Sequence, residues 1–302
     1  MAVNRFWEQC FGRGLVDTSE DFGLQGARPS HARLLDALAA SFVDSGWDVK
    51  DLFREIVLSK TFCQSSVVRK QQLEIDPENR WLSRGPRFRM DAEVIRDSRL
   101  FAAGLLDLSA GKRGVKPPQP AGLWKPVSQP NSTTAHFVAD KPDRQFRRSV
   151  YMFWKRTSPP AMMQTFDAPN RDACVISRQR TNTPLQALAL MNDYQNLQCA
   201  NALAMRLLKE QLGDEANDDS RLALGFELAT GRSPSDTEAQ MMRKMLRSLR
   251  AAWKDKAESA GSLVKWSDCR RLDAKHRDPP ELAAWIMVCN ALLNLSESVT
   301  VQ

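Results

Sequence analysis

The sequence predicts a mainly α fold, in which helical subdomains flank an irregular Pro-rich central segment carrying a small β element. Three observations lead there: complete helix-start signals recur along the chain, apolar residues return at helical spacing on both sides of the centre, and six prolines between residues 111 and 142 forbid a long helix or a central strand in that stretch. The organisation that follows is an N-terminal helical part over 1–110, a Pro-rich wrap with a short strand and extended central segment over 111–183, and a C-terminal helical part over 184–302, together one compact unit.

Taken in order, Val3 to Phe11 reads as a helix ended by Gly12 and Gly14, and Asp17 to Glu20 as a turn or a short capped segment. Pro29-Ser30 is placed to cap an amphipathic helix with Leu34, Leu35, Leu38, Phe42 and Val43 on one face, closed by Gly46. Asp48 caps the next, with Val49, Leu52, Phe53, Ile56 and Val57 inward; the short connection makes the two an antiparallel pair. Asp91 to Leu108 regains helical periodicity through Val94, Ile95, Ser98, Phe101, Ala102 and Leu105. Trp124 is placed to pin the Pro-rich wrap.

Val150 to Trp154 is a short run of β-formers between basic pairs and is read as a strand, stopped by Ser158-Pro159-Pro160. Thr183-Pro184-Leu185-Gln186 is a full helix start, with a break expected at Asn192-Asp193 and an end near Gly213. Arg221 to Thr230 closes on Gly231, Ser235 with Glu238 starts another helix running to Trp253, and Pro279-Pro280-Glu281 opens the last, with Leu282, Trp285, Ile286, Cys289, Leu292 and Leu293 buried.

Composition narrows the function classes. With 302 residues and 42% apolar content the chain builds a sizeable core, and its surplus of 43 Lys and Arg over 36 Asp and Glu, a net +7, is spread along the chain. A solvated basic surface is the first reading of that charge, and nucleic-acid binding is the weaker alternative. The six cysteines include no CxxC pair, which argues against a zinc half-site or haem attachment here, and most are read as buried small apolar groups. No cofactor and no metal is expected in this chain. No run reaches the length of a transmembrane helix and the start lacks a signal core, so the chain alone reads as cytoplasmic; its first helix begins so abruptly that it reads as part of a longer protein.

Gly-rich phosphate loops and HExxH or GxSxG motifs are absent, and His31, His136 and His276 stand isolated. Two clusters remain. Glu93 and Asp97, one helical turn apart among several arginines, fit either an ion-pair network or a general acid and base, with Asp167 as a third acidic candidate. Arg148, Lys155, Arg156, Arg178, Arg180 and Asn182 could grip an anionic or polysaccharide ligand, or could hold the irregular segment from Ser158 to Ser177 through its backbone groups.

The blocks at residues 3–23, 29–66, 89–98, 147–193 and 281–298, the fourth of them reading RRSVYMFWKRTSPPAMMQTFD at its start, resemble the planctomycete PSD1 family, a domain of unknown function also called DUF1553. Tyr194 departs from the proline often found after that Asn-Asp pair. The resemblance implies the C-terminal module of a longer exported, periplasmic or envelope-associated chain, with a DUF1549 domain upstream and often a cytochrome c-like domain ahead of it. It carries no established catalytic residues. Together these readings favour a non-catalytic interaction or scaffold module, with a hydrolase of carbohydrate or sulfated polysaccharide as the alternative and a basic nucleic-acid binder as a third.

Overall fold

The computed structural model describes residues 1–111, 113–126, 128, 137–141, 144–156, 158–209, 217–268 and 278–301. Its secondary structure is 52% helix and 3% strand, so the fold is mainly α. The chain forms two compact units, one of residues 1–90, 174–179 and 300–302, the other of residues 91–173 and 180–299. His136, His276, Cys269 and the expected helix end at Gly213 lie outside the described residues.

The first unit holds α1 (Ala2–Phe11), α2 (Ala32–Asp44), α3 (Val49–Val57) and the short α4 (Lys70–Ile75). Val3, Trp7, Cys10 and Phe11 of α1 pack with Leu38, Phe42, Leu52 and Ile56 of α2 and α3, and Trp7 stacks on Phe11 at 4.1 Å. Gly12 ends α1 in the left-handed region at φ 74°, and a Cβ there would come within 2.5 Å of the Phe88 ring, so glycine is required on two counts. Asp48 caps α3 as the sequence predicts, its Oδ1 accepting from the amides of Lys50 and Asp51. Ser30 does not cap α2. Its hydroxyl donates to the Leu15 carbonyl at 3.2 Å and pairs with His31 Nδ1, and His31 becomes the residue preceding the helix. Val43 sits on the outer side of α2 and is 52% exposed.

Two-residue strands β1 (Phe88–Arg89) and β2 (Thr300–Val301) pair antiparallel, Phe88 opposite Val301, in the same unit. They are the β element of the fold, and the run at Val150 is not a strand. Ser149–Tyr151 is instead a 3₁₀ turn followed by one bridge, in which the Val115 amide donates to Tyr151 O and its carbonyl accepts from Phe153 N. Pro117 and Pro118 lie next along the partner, and with no amide hydrogens to offer they stop a ladder from extending. Trp124 is buried, with the rings of Phe137 and Phe153 at 4.5 and 5.7 Å, and it anchors the described part of the Pro-rich wrap.

The second unit holds α5 (Ala92–Ala102), α6 (Ala161–Thr165), α7 (Pro184–Asn192), α8 (Tyr194–Lys209), α9 (Asp218–Thr230), α10 (Asp236–Trp253), α11 (Ala257–Trp266) and α12 (Pro279–Leu293). Its centre is α8 against α12. Every residue from Gln195 to Met205 is buried, the mark of a helix surrounded by protein on all sides. Trp285 of α12 is fully buried and donates its indole N–H to Glu281. Arg250 of α10 forks onto Asp218 of α9 and Glu281 of α12, which fastens three helices at one point. No helix among the described residues is long and apolar enough to cross a membrane.

Candidate functional site

The charged stretch opening α5 is where the sequence points to chemistry, and its arginines turn inward. Arg96 and Arg99 are only 6% and 2% exposed, while Phe101 of the same helix is 64% exposed, so the buried face is rotated from the one that apolar periodicity suggests. Arg96 donates to Gln195 Oε1 at 2.6 Å, to the carbonyls of Arg147 and Gln145 at 2.9 and 2.8 Å, and to Ser149 Oγ at 3.0 Å. Arg99 donates to the carbonyls of Leu190 and Leu293, at the C-terminal ends of α7 and α12 where helix dipoles are negative. Burial pushes the Arg99 guanidinium down to about 10, which leaves it cationic at neutral pH, and lowers Arg96 as well, against the pull of neighbouring Asp97.

Arg147 extends the pattern. It donates to the carbonyls of Arg113, Ser109 and Gly111 and lies over the Tyr151 ring at 4.0 Å. Guanidinium groups here satisfy backbone carbonyls of irregular chain that no ladder serves, a planar fork doing what secondary structure does elsewhere.

The acidic candidates have structural partners. Asp97 accepts from Ser149 N at 2.8 and 3.1 Å and from Ser149 Oγ at 2.7 Å, which fixes the start of the 3₁₀ turn. Asp167, held at φ 58°, accepts from the amide and hydroxyl of Thr181 at 2.8 to 3.0 Å. Glu93 is half-buried in the first turn of α5, where the helix dipole favours a carboxylate. A half-buried acid that sequence reasoning passed over as a site is Asp193, in the break between α7 and α8. Its Oδ1 accepts from the amides of Gln195 and Asn196, and burial raises its pKa against the pull of those bonds and of Arg99 and Arg96.

The basic candidates are dispersed. Arg148, Arg156 and Asn182 are exposed, and Arg180 lies 4.0 Å from Asp91. Lys155 donates to Ser128 Oγ and sits over the Trp124 ring, so it belongs to the wrap. Arg178 is half-buried in the first unit, whereas the others belong to the second. Three cavities are described. In the second unit, one of about 270 Å³ lies among Arg113, Arg144, Arg147, Asp107 and Asp140, and one of about 30 Å³, the size of a water molecule, lies beside Arg96 and Asp193. In the first unit, one of about 360 Å³ is walled by the loop from Pro77 to Phe88. None of the three is lined by Glu93, Asp97 or Asp167.

Fold and site thus define a mainly helical protein whose irregular centre is stapled by buried arginines. The chain belongs to the PSD1 family of proteins of unknown function (DUF1553), whose family model matches residues 1–246. No curated protein and no solved structure matches it.

Proposed function

We propose that this chain is a non-catalytic interaction module of a larger bacterial envelope protein, working beside a DUF1549 domain and, in some architectures, a cytochrome c-like domain. One observation supports this above others: Asp97 and Asp167, which with Glu93 are the three carboxylates that the sequence offers for acid and base work, are engaged with Ser149 and Thr181. A general acid or base must reach its substrate's proton, and a carboxylate already accepting from a backbone amide and a hydroxyl is oriented away from that task.

Chromogenic glycosides and polysaccharides offered to the purified chain provide the test. The module reading expects no turnover, and it expects Asp97→Asn and Asp167→Asn to lower thermal stability alone. Turnover by the parent that either variant abolishes at unchanged melting temperature overturns it.

A further inference from the structure

The 360 Å³ cavity of the first unit has features that the proposed function does not use. Its size falls within the range of small-molecule sites. Four arginines line it, Arg13, Arg80, Arg84 and Arg87, against two carboxylates, Asp17 and Glu78. The rings of Trp7, Phe11 and Phe88 border the same space. Such a combination of cationic excess and aromatic surface suits a cyclic body that carries a negative group.

The wall is preorganised. Asn79 and Leu82 sit at φ 54° and 57°, and a branched apolar residue in the left-handed region is a backbone outlier that its surroundings must enforce. The enforcement is visible. Buried Asp76 accepts from the amides of Arg80 and Trp81 at 2.7 and 3.0 Å. Asn79 exchanges bonds with the backbone of Arg84, donating to its carbonyl and accepting from its amide. The Arg84 guanidinium reaches back to the carbonyls of Asp76 and Pro77 at 2.8 and 2.7 Å, so its positive charge is buried at the cavity with neutral oxygens as these partners. Gly85 passes so close to Gln64 that a Cβ would stand 2.2 Å from that carbonyl.

Arg13 supplies a docking point. Asp17 takes its Nε and Nη2 in a bidentate pair, and the remaining edge, Nη1, donates to Glu78 at 2.7 Å. The Glu78 side chain is 70% exposed, so it reaches this contact from solvent and can swing away at little cost. A carboxylate that visits a guanidinium in this way marks where another anion fits.

We propose that the cavity binds a cyclic organic anion of about the size of a nucleoside monophosphate or sugar phosphate, with its anionic group on Arg13 Nη1 in place of Glu78, Arg80 and Arg87 supplying further positive charge, and its ring against Phe88 and its neighbours. The proposal shares no residue with Asp97 or Asp167, so its failure leaves the module reading where it stands.

Calorimetric titration of the full chain with AMP, glucose 6-phosphate, their uncharged counterparts adenosine and glucose, and inorganic phosphate tests it. At least one phosphate ester is expected to bind about tenfold or more tightly than its uncharged counterpart. Glu78→Gln is expected to tighten that binding and Arg87→Ala to weaken it, each by about tenfold, with melting temperature unchanged because both side chains are exposed. Equal affinity for charged and uncharged partners, or no binding of either ester at millimolar concentration, overturns the anion site. Inorganic phosphate binding as tightly as the esters overturns the part played by the rings, and Glu78→Gln binding no more tightly than the parent removes Glu78 as place-holder.

Discussion

Replacing Arg96 by methionine tests whether buried arginines hold the irregular centre of the second unit. Methionine keeps much of the side-chain volume and removes every donor, so the carbonyls of Gln145 and Arg147, Ser149 Oγ and Gln195 Oε1 all lose a bond. Each buried carbonyl left without a donor costs about 1 to 3 kcal/mol. Two of them give about 4 kcal/mol, and relief of the burial penalty on the cation returns a part, which leaves about 3 kcal/mol of lost stability. In a unit of this size that lowers the melting temperature by about 6 to 12 °C. Urea unfolding followed by far-ultraviolet circular dichroism reads the change as a lower midpoint at an unchanged slope. Arg96→Lys keeps the charge without the planar fork and is expected to lose at least half as much. A loss under about 1 kcal/mol for Arg96→Met would show that these bonds form on a segment that other contacts already fix.

Asp193→Asn bears on pH. Burial raises the Asp193 carboxyl above its ordinary value, so its stabilising contribution is present at low pH, where it is protonated in both states, and is lost as pH rises through the raised value. Asparagine keeps an Oδ1 acceptor for the amides of Gln195 and Asn196, so the variant is expected to be more stable than the parent at pH 7, with the difference closing near pH 3 in urea midpoints; a variant less stable at pH 7 contradicts this. Gly85→Ala forces a methyl against Gln64 O and is expected to cost at least 1 to 3 kcal/mol, read as loss of the first unit's near-ultraviolet signal at lower temperature. Ser235→Ala removes the cap that accepts from Glu238 N and is expected to cost about 1 kcal/mol in the same urea assay. Glu238 itself is held down to about 2, chiefly by Arg232 and then by Ser235, so its contribution is present above the ordinary carboxylate range and lost as pH falls toward 2.

What could be read from sequence was local. Asp48, Thr183-Pro184, Ser235 with Glu238, Pro279-Pro280, Gly12 and Gly231 announce helix ends because the bonds they make span only a few residues. The break before α8 was legible at Asn192-Asp193 for the same reason. The short α4, the helix α11 and the short α6, which lies within the segment read as irregular from Ser158 to Ser177, went unread, since the residues that precede them, Arg69, Lys256 and Pro160, are not among the side chains that commonly start a helix.

The face of α5 was misread because arginine counts as a surface residue in any apolar pattern, although Ala92, Ile95, Arg99 and Ala102 share a spacing of three and four that places Arg99 among apolar neighbours. The partners that make its burial tolerable lie far along the chain, at Leu190 and Leu293, and no local pattern points to a carbonyl. The supposed strand at Val150 failed for a related reason: β-forming residues need a partner with amides to offer, and the neighbouring segment is proline.

The inward arginines also change how the protein's basicity should be understood. Among the described residues four arginines are buried, Arg84, Arg96, Arg99 and Arg147, and only one carboxylate, Asp76, so a net three positive charges of this basic chain cannot touch a partner in solution. Polyanion binding is driven by counterions displaced where cations meet phosphates, and an interior guanidinium displaces none. Retention on a heparin column should therefore fall short of what an isoelectric point near 9.2 suggests, and basicity in this chain is in good part a building material.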